Sequence, residues 1–236
     1  MIEIFKQFLE LERPLNEGIL KKLESNLKTN FIYNSNAIEG NTLTLKETDI
    51  ILPLVLNDDI ENRGKFKQSN NEILGDGFKT TPYYLVEEKL TELIDKYNSN
   101  KVDGLVTKVS HFHADFEKIH PFIDGNGRMG RLLLNLELMK NGYLITVIRN
   151  EDRDEYYTAL ETAQVESNYE LLADFIEKSV ENTFWMYYKY FDEDTKMKFE
   201  EYLKNKGINP REIYHKRIEN YPETERDFLR EWNKEK

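Results

Sequence analysis

Apolar residues recur along most of this chain at the three- and four-residue steps of amphipathic helices. Leu105, Val109, Phe112, Phe116 and Ile119 draw one such stripe. Pro121 disfavours helical geometry at the residue before it, so this helix is predicted to stop around His120. A second stripe, Leu132, Leu133, Leu136 and Met139, runs to Asn141-Gly142, a helix-ending pair. Two helices, antiparallel or steeply crossed, should therefore flank an exposed loop. Upstream, Leu20 to Ile38 reads as helix closed by Gly40, and Thr44-Leu45-Lys46-Glu47 has capping-box spacing for another helix that Pro53 kinks or ends. Tyr83 to Tyr97, Asp154 to Val165 and Tyr169 to Tyr190 complete the helices. The one β signal lies between Asn71 and Tyr83, where Glu72-Ile73-Leu74 and Phe78-Lys79-Thr80 bracket Gly75-Asp76-Gly77. A lone hairpin is marginal by itself and must lean on something. The expected fold class is all-α with one short hairpin.

Beyond Phe191 the composition shifts to dense charge of both signs, broken at Gly207-Ile208-Asn209-Pro210 and Tyr221-Pro222. Residues 192–236 are read as a charged helical appendage. The 236 residues allow one large domain with such an appendage. No apolar run approaches the roughly 20 residues needed to cross a bilayer, and the N-terminus lacks a signal-peptide pattern. There are no cysteines, which excludes disulfides and thiolate metal sites and fits a reducing compartment. The net charge of −11 argues against a general binder of nucleic acid or anionic membranes. A cytoplasmic protein whose phosphate chemistry, if any, is local is the expectation.

Such chemistry is concentrated in His120-Pro121-Phe122-Ile123-Asp124-Gly125-Asn126-Gly127-Arg128-Met129-Gly130-Arg131. Gly125, Asn126 and Gly127 can turn successive amide N–H groups inward, and the N-terminus of the following helix adds positive charge, together an anion nest. Arg128 and Arg131, three apart, share a helix face and suit the outer phosphates of a nucleotide. Asp124, the loop's carboxylate, would hold Mg²⁺ beside a polyphosphate. His120, at a helix end, can act as general base. Phe122 and Ile123 are expected to point into the core and lock the loop.

This run resembles the Fic family signature, H-P-F-x-[DE]-G-N-G-R-x-x-R, at every position, and the resemblance extends over residues 30–190. It implies a Fic-type helical bundle with a β-hairpin flap, with residues 1–60 as N-terminal helices, 61–191 as catalytic core and 192–236 as the appendage. Family members mostly transfer AMP from ATP to a hydroxyl of a target protein. By that resemblance His120 deprotonates a Ser, Thr or Tyr hydroxyl, and Asp124 coordinates Mg²⁺. Gly125, Asn126 and Gly127 cradle the α- and β-phosphates, and Arg128 and Arg131 meet the β- and γ-phosphates. The 71–83 hairpin, with Leu74 and Gly75, lies over the nucleotide and pairs its edge with the target. Tyr157 and Gln164 fall where relatives contact the nucleoside, Gln164 replacing what is often asparagine. The implied partners are ATP and an unidentified target protein.

Ser35-Asn36-Ala37-Ile38-Glu39-Gly40 resembles the family's inhibitory signature, [ST]-x-x-x-E-[GN]. A Glu39 carboxylate reaching Arg131 would occupy the space and charge that the γ-phosphate needs. In some relatives the same glutamate also positions water for removing AMP. His113, Glu117 and His120 share a helix face and mimic a metal triad, but a metal there would leave the glycine loop and both arginines unexplained. The aromatic run 184–191 reads as packing or a homodimer surface. Two further readings stay open: transfer of another nucleotide or phosphate-linked group, such as UMP or phosphocholine, and a non-catalytic nucleotide-binding module that Glu39 keeps shut.

Overall fold

A computed structural model describes residues 1–13, 17–46, 48, 65–70, 79–99 and 104–220, with the side chains of 17–27 and 216–220 outside that description. The elements it describes are all helical: α1 (Ile2–Leu11), α2 (Glu17–Ile38), α3 (Val86–Ser99, entered by a short 3₁₀ turn), α4 (Leu105–Ile119), α5 (Asn126–Lys140), α6 (Arg153–Glu166), α7 (Glu170–Tyr188), α8 (Glu193–Asn205) and α9 (Pro210–Asn220). No helix among the described residues is long and apolar enough to cross a membrane. Most of the hairpin expected between Asn71 and Tyr83, including Leu74 and Gly75, lies outside the described residues, as does the chain around Pro53.

The centre of the bundle is α4, which packs against α3, α5, α6 and α7. Its Val106, Val109 and Ala114 join Leu134 and Leu138 of α5, Tyr156 and Ala163 of α6, Leu172 and Ile176 of α7, and Ile38 at the end of α2 in one core, while Phe116 and Ile119 pack with Val86 and Leu93 of α3. Burying each large aliphatic side chain contributes about 1.5–3 kcal/mol. A second, aromatic core joins α1 to α7, α8 and α9. Phe5 stacks on Phe184 with ring centroids 4.0 Å apart, Phe8 packs on Phe199 of α8, and the Tyr188 and Tyr214 hydroxyls share a hydrogen bond of 2.8 Å. The aromatic run therefore packs internally. Asp192 caps α8 by accepting from the Thr195 N–H at 2.9 Å.

The buried face of α5 is not the one its leucines suggest. Leu132, Leu136 and Met139 are about half exposed, whereas Arg131, Leu134, Asn135 and Leu138 are buried. Two polar residues sit on this face because their hydrogen bonds are met there. The Asn135 side chain donates to the Thr146 carbonyl at 3.0 Å and accepts from the Thr146 N–H at 2.6 Å. Periodicity of apolar residues alone placed the stripe a turn-fraction away from the true seam.

Candidate active site

Helix α4 ends by turning its last residue out of the helix. His120 caps it in the left-handed region, φ 52° and ψ 60°, its N–H bonded to the Phe116 carbonyl at 3.0 Å. A non-glycine residue held there costs on the order of 1 kcal/mol or more, which the surrounding loop must over-determine. Burial pulls the imidazole pKa below its ordinary value; Lys67 pushes the same way, while the Glu117 main chain and Glu39 oppose it. The ring is therefore neutral at pH 7, the form that accepts a proton. Its Nδ1 is buried without a hydrogen-bond partner among the described residues.

The loop is fixed by Asn126, which is 2% exposed. Its side chain accepts from the Phe122 N–H at 2.8 Å and donates to the Phe122 carbonyl at 2.9 Å, closing the turn. Phe122 leans on the cluster of Val86, Leu93, Phe116 and Ile119. Ile123, expected in the core, is instead 76% exposed, because the amide clamp leaves the loop no need of a second apolar anchor. Gly125 begins α5 at φ 80°, again left-handed, where glycine carries no Cβ penalty. The first N–H bonded within α5 belongs to Met129, so those of Asn126, Gly127 and Arg128 point off the helix end unclaimed by it. Asp124 accepts from the Gly125 N–H at 2.6 Å and pairs with Arg128 at 3.0 Å, well exposed.

The two arginines occupy different worlds. Arg128 lies at the surface, whereas Arg131 is 1% exposed. Arg131 Nε donates to the Ser35 hydroxyl at 3.0 Å, and Nη2 donates to the Ser35 carbonyl at 2.7 Å and to Glu39 Oε1 at 2.8 Å. A Cβ at Gly127 would overlap the Glu39 carboxylate, so that carboxylate rests directly on the N-terminal turn of α5. Glu39 thus fills the place where an anion would meet both a guanidinium and a helix N-terminus. The end of α2 is held there by Ile38, fully buried, whose carbonyl accepts from Arg153 at 2.8 Å and from the Tyr157 hydroxyl at 3.4 Å. Asn34 accepts from the Asn150 N–H at 2.8 Å.

Beneath this contact lies a buried polar layer. His113 Nε2 shares a hydrogen bond of 2.7 Å with the Tyr156 hydroxyl. Burial, with Arg131 adding to it, pushes the His113 pKa down to about 3. Burial raises Glu117 to about 8, against the pull of Arg131 and with the push of Glu39, so it is a neutral acid at pH 7. Gly130 admits Glu117 and His113 close against α5. Among the described residues, Glu117 Oε1, His113 Nδ1 and Arg131 Nη1 are buried without hydrogen-bond partners. His113 and Glu117 are thus bound up in the core, and no group of three or more acids and histidines among the described residues is placed to hold a metal ion.

Of the remaining candidates, Tyr157 is half-buried with Arg153 over its ring at 5.0 Å, and Gln164 is buried, donating to the Ala114 carbonyl at 3.3 Å. Leu74 and Gly75 lie outside the described residues. The structure thus brings together Ser35, Glu39, His120, Asp124 and Gly125–Arg131. Sequence reasoning missed the clamp role of Asn126 and the anchoring of α2 by Asn34 and Arg153. A signal existed only for Asn126, an asparagine four residues after the end of a loop-initiating Pro-Phe pair.

Residues 47–138 match the model of the Fic/DOC family. A probable protein adenylyltransferase from Aquifex aeolicus is 39% identical over 99 residues, covering 42% of this chain and 30% of that protein. The protein adenylyltransferase Fic of Nematostella vectensis is 30% identical over 186 residues, covering 56% of this chain and 42% of that protein. The chain therefore spans less than half the length of these relatives. Among solved structures, a Fic domain-containing signaling protein from Bacteroides thetaiotaomicron superposes with TM-score 0.71 at 24% identity, over 80% of this chain and 97% of that one. Fic-1 from Caenorhabditis elegans gives 0.66 at 21% identity, over 79% of this chain and 69% of that one. At these identities the superpositions speak for the all-α fold.

Proposed function

We propose that this chain, whose residues 47–138 match the Fic/DOC family model, is a protein adenylyltransferase, moving AMP from ATP to a Ser, Thr or Tyr hydroxyl of a target protein. The observation that carries this reading is the α4–α5 junction. A neutral imidazole at the end of one helix adjoins an exposed carboxylate and the N-terminus of the next helix, whose first N–H groups make no bond within that helix. The α- and β-phosphates of ATP would lie on the N–H groups of Asn126, Gly127 and Arg128. The target oxygen attacks the α-phosphorus and gives its proton to His120. The bond from that phosphorus to the bridging oxygen of the β-phosphate breaks, and pyrophosphate leaves.

Asp124 suits Mg²⁺ carried in with ATP. It is a single exposed carboxylate whose present partner, Arg128, is held by a surface ion pair worth little. Bound there, Mg²⁺ would offset charge on the phosphates. Freed from Asp124, Arg128 would turn to the β-phosphate. The Arg131 guanidinium would meet the γ-phosphate through Nη2, but Glu39 holds that nitrogen. We read this contact as autoinhibition: the γ-phosphate and the Glu39 carboxylate compete for one guanidinium and one helix end.

The test is transfer from α-labelled ATP with Mg²⁺ into lysate proteins, identified by mass spectrometry. Glu39→Gly is expected to raise transfer by about 10- to 100-fold, the equivalent of one charge-assisted hydrogen bond of ~1.5–3 kcal/mol. His120→Ala in the same background is expected to lower it by about 10²- to 10⁴-fold. Equal transfer by wild type and Glu39→Gly removes the autoinhibition claim. Nucleotide binding with no transfer by either would leave a binding module, and labelling by another nucleotide would redirect the donor.

A further inference from the structure

A lysine with no assigned role lies buried against the end of α4. Lys67 is 2% exposed, and its Nζ donates to the Thr80 hydroxyl at 2.8 Å and to the Ile119 carbonyl at 3.4 Å. Its own N–H donates to the Pro121 carbonyl at 2.9 Å. From the other side, the Thr81 N–H donates to the Lys118 carbonyl at 3.4 Å. Two segments separated in sequence, 65–70 and 79–81, thus grip the backbone at Lys118, Ile119 and Pro121. The residue left in the middle of that grip is His120.

We propose that Lys67 is a positioning residue of the transfer reaction: its ammonium ties Thr80 to the last carbonyl of α4 and fixes the left-handed turn that aims His120. This rests on His120 being the general base. A cation is electrostatically suited to a helix C-terminus, where unpaired carbonyls concentrate negative charge. A buried ammonium is nonetheless expensive, and its desolvation lowers the Lys67 pKa. For packing alone an apolar side chain of that length would serve as well. What the ammonium adds is a branched donor that can hold a hydroxyl and a carbonyl at once, with a positive charge beside the catalytic ring. Around His120, burial and Lys67 favour the neutral imidazole, while Glu39, in the turn after α2, and the Glu117 main chain favour the charged one. Lys67 therefore fixes both the direction of the base and its readiness to accept a proton.

The test compares Lys67→Met, Lys67→Arg and Thr80→Val in the Glu39→Gly background, reading kcat against pH and the KM for ATP. The His120 ring is titrated in parallel by NMR, which is tractable because the chain has four histidines. Lys67→Met is expected to lower kcat about tenfold with KM for ATP within about twofold, the signature of a group acting on the chemical step. It should also move the acidic limb of the profile and the His120 titration upward together. Lys67→Arg keeps the charge and should return the limb to lower pH. Thr80→Val should lower kcat by a few-fold without moving the limb. A folded Lys67→Met protein with unchanged kcat and an unmoved His120 titration overturns the proposal. If Lys67→Met does not fold, an unchanged kcat for Thr80→Val does the same. Should the Glu39→Gly protein transfer nothing, the activity reading fails by itself. The NMR titration of wild type and Lys67→Met then still decides whether Lys67 governs the ring.

Discussion

Asn126 closes the turn with its side-chain amide on Phe122 and keeps only its backbone N–H for a phosphate. The clamp explains how His120 can be held left-handed within a loop whose apolar Ile123 faces solvent. Asn126→Ala removes both bonds and strands a partly buried N–H and carbonyl on Phe122, each costing about 1–3 kcal/mol when nothing replaces the partner. We expect a loss of ~2–6 kcal/mol in urea unfolding on that basis, with ATP binding weakened because the anion cradle loses its shape. A stability within experimental error of wild type would show that the loop is held by something else. The same residue-by-residue view separates the arginines. Three positions apart on one helix, Arg131 is sealed behind Ser35 and Glu39 while Arg128 sits on a surface carboxylate.

Helix α5 carries both the anion end of the site and one wall of the core, so its rotation about its axis matters. The seam runs through Arg131, Leu134, Asn135 and Leu138. Leu134→Ala should therefore cost about 2–5 kcal/mol, as a fully buried leucine does, and Leu132→Ala about 0.5 kcal/mol or less. Comparable losses in thermal or urea unfolding would put the seam back where the leucines alone suggest. This contrast also marks how far the sequence could be read. The spans of α4 and α5, the halt at His120 and the end of α2 before Gly40 follow from Pro121, the paired Asn141-Gly142 and apolar spacing, because chain-local geometry decides them. The candidate catalytic loop was legible for the same reason: its residues are contiguous. The face of α5 was not, since Arg131 and Asn135 are buried only by virtue of partners far along the chain, Ser35 and Thr146. Glu39 was legible as a candidate from its short motif, but its seat on Gly127 is a fact of packing between α2 and α5.

At the scale of the whole molecule, folding gathers Glu39 from the turn after α2, Arg131 from α5, and Glu117 and His113 from α4 into one electrostatic unit. No single helix creates that unit, so its signature should appear in global stability. The Glu117 carboxyl titrates near 4.5 in an unfolded chain and is pushed up to about 8 in the folded one. Between those values the folded chain holds a proton that the unfolded chain lacks, so Glu117 makes stability fall as pH rises. His113 has the opposite sign: near 6.5 unfolded and about 3 folded, it makes stability rise with pH over that interval. The two oppose each other from pH 4.5 to 6.5, and above 6.5 the Glu117 effect continues without its counterweight. Wild-type stability should therefore decline from pH 6.5 to 8, with one proton contributing at most about 1.4 kcal/mol per pH unit. Glu117→Gln carries no titrating proton there and should flatten the decline; matching slopes for the two proteins would show that Glu117 is ionised in the fold. Glu39→Gly should flatten it in part, because Glu39 is one of the charges that hold Glu117 protonated. A shared slope change would tie the Glu39 carboxylate to the buried acid below it, making the Glu39–Arg131 contact a property of the bundle as well as of one ion pair.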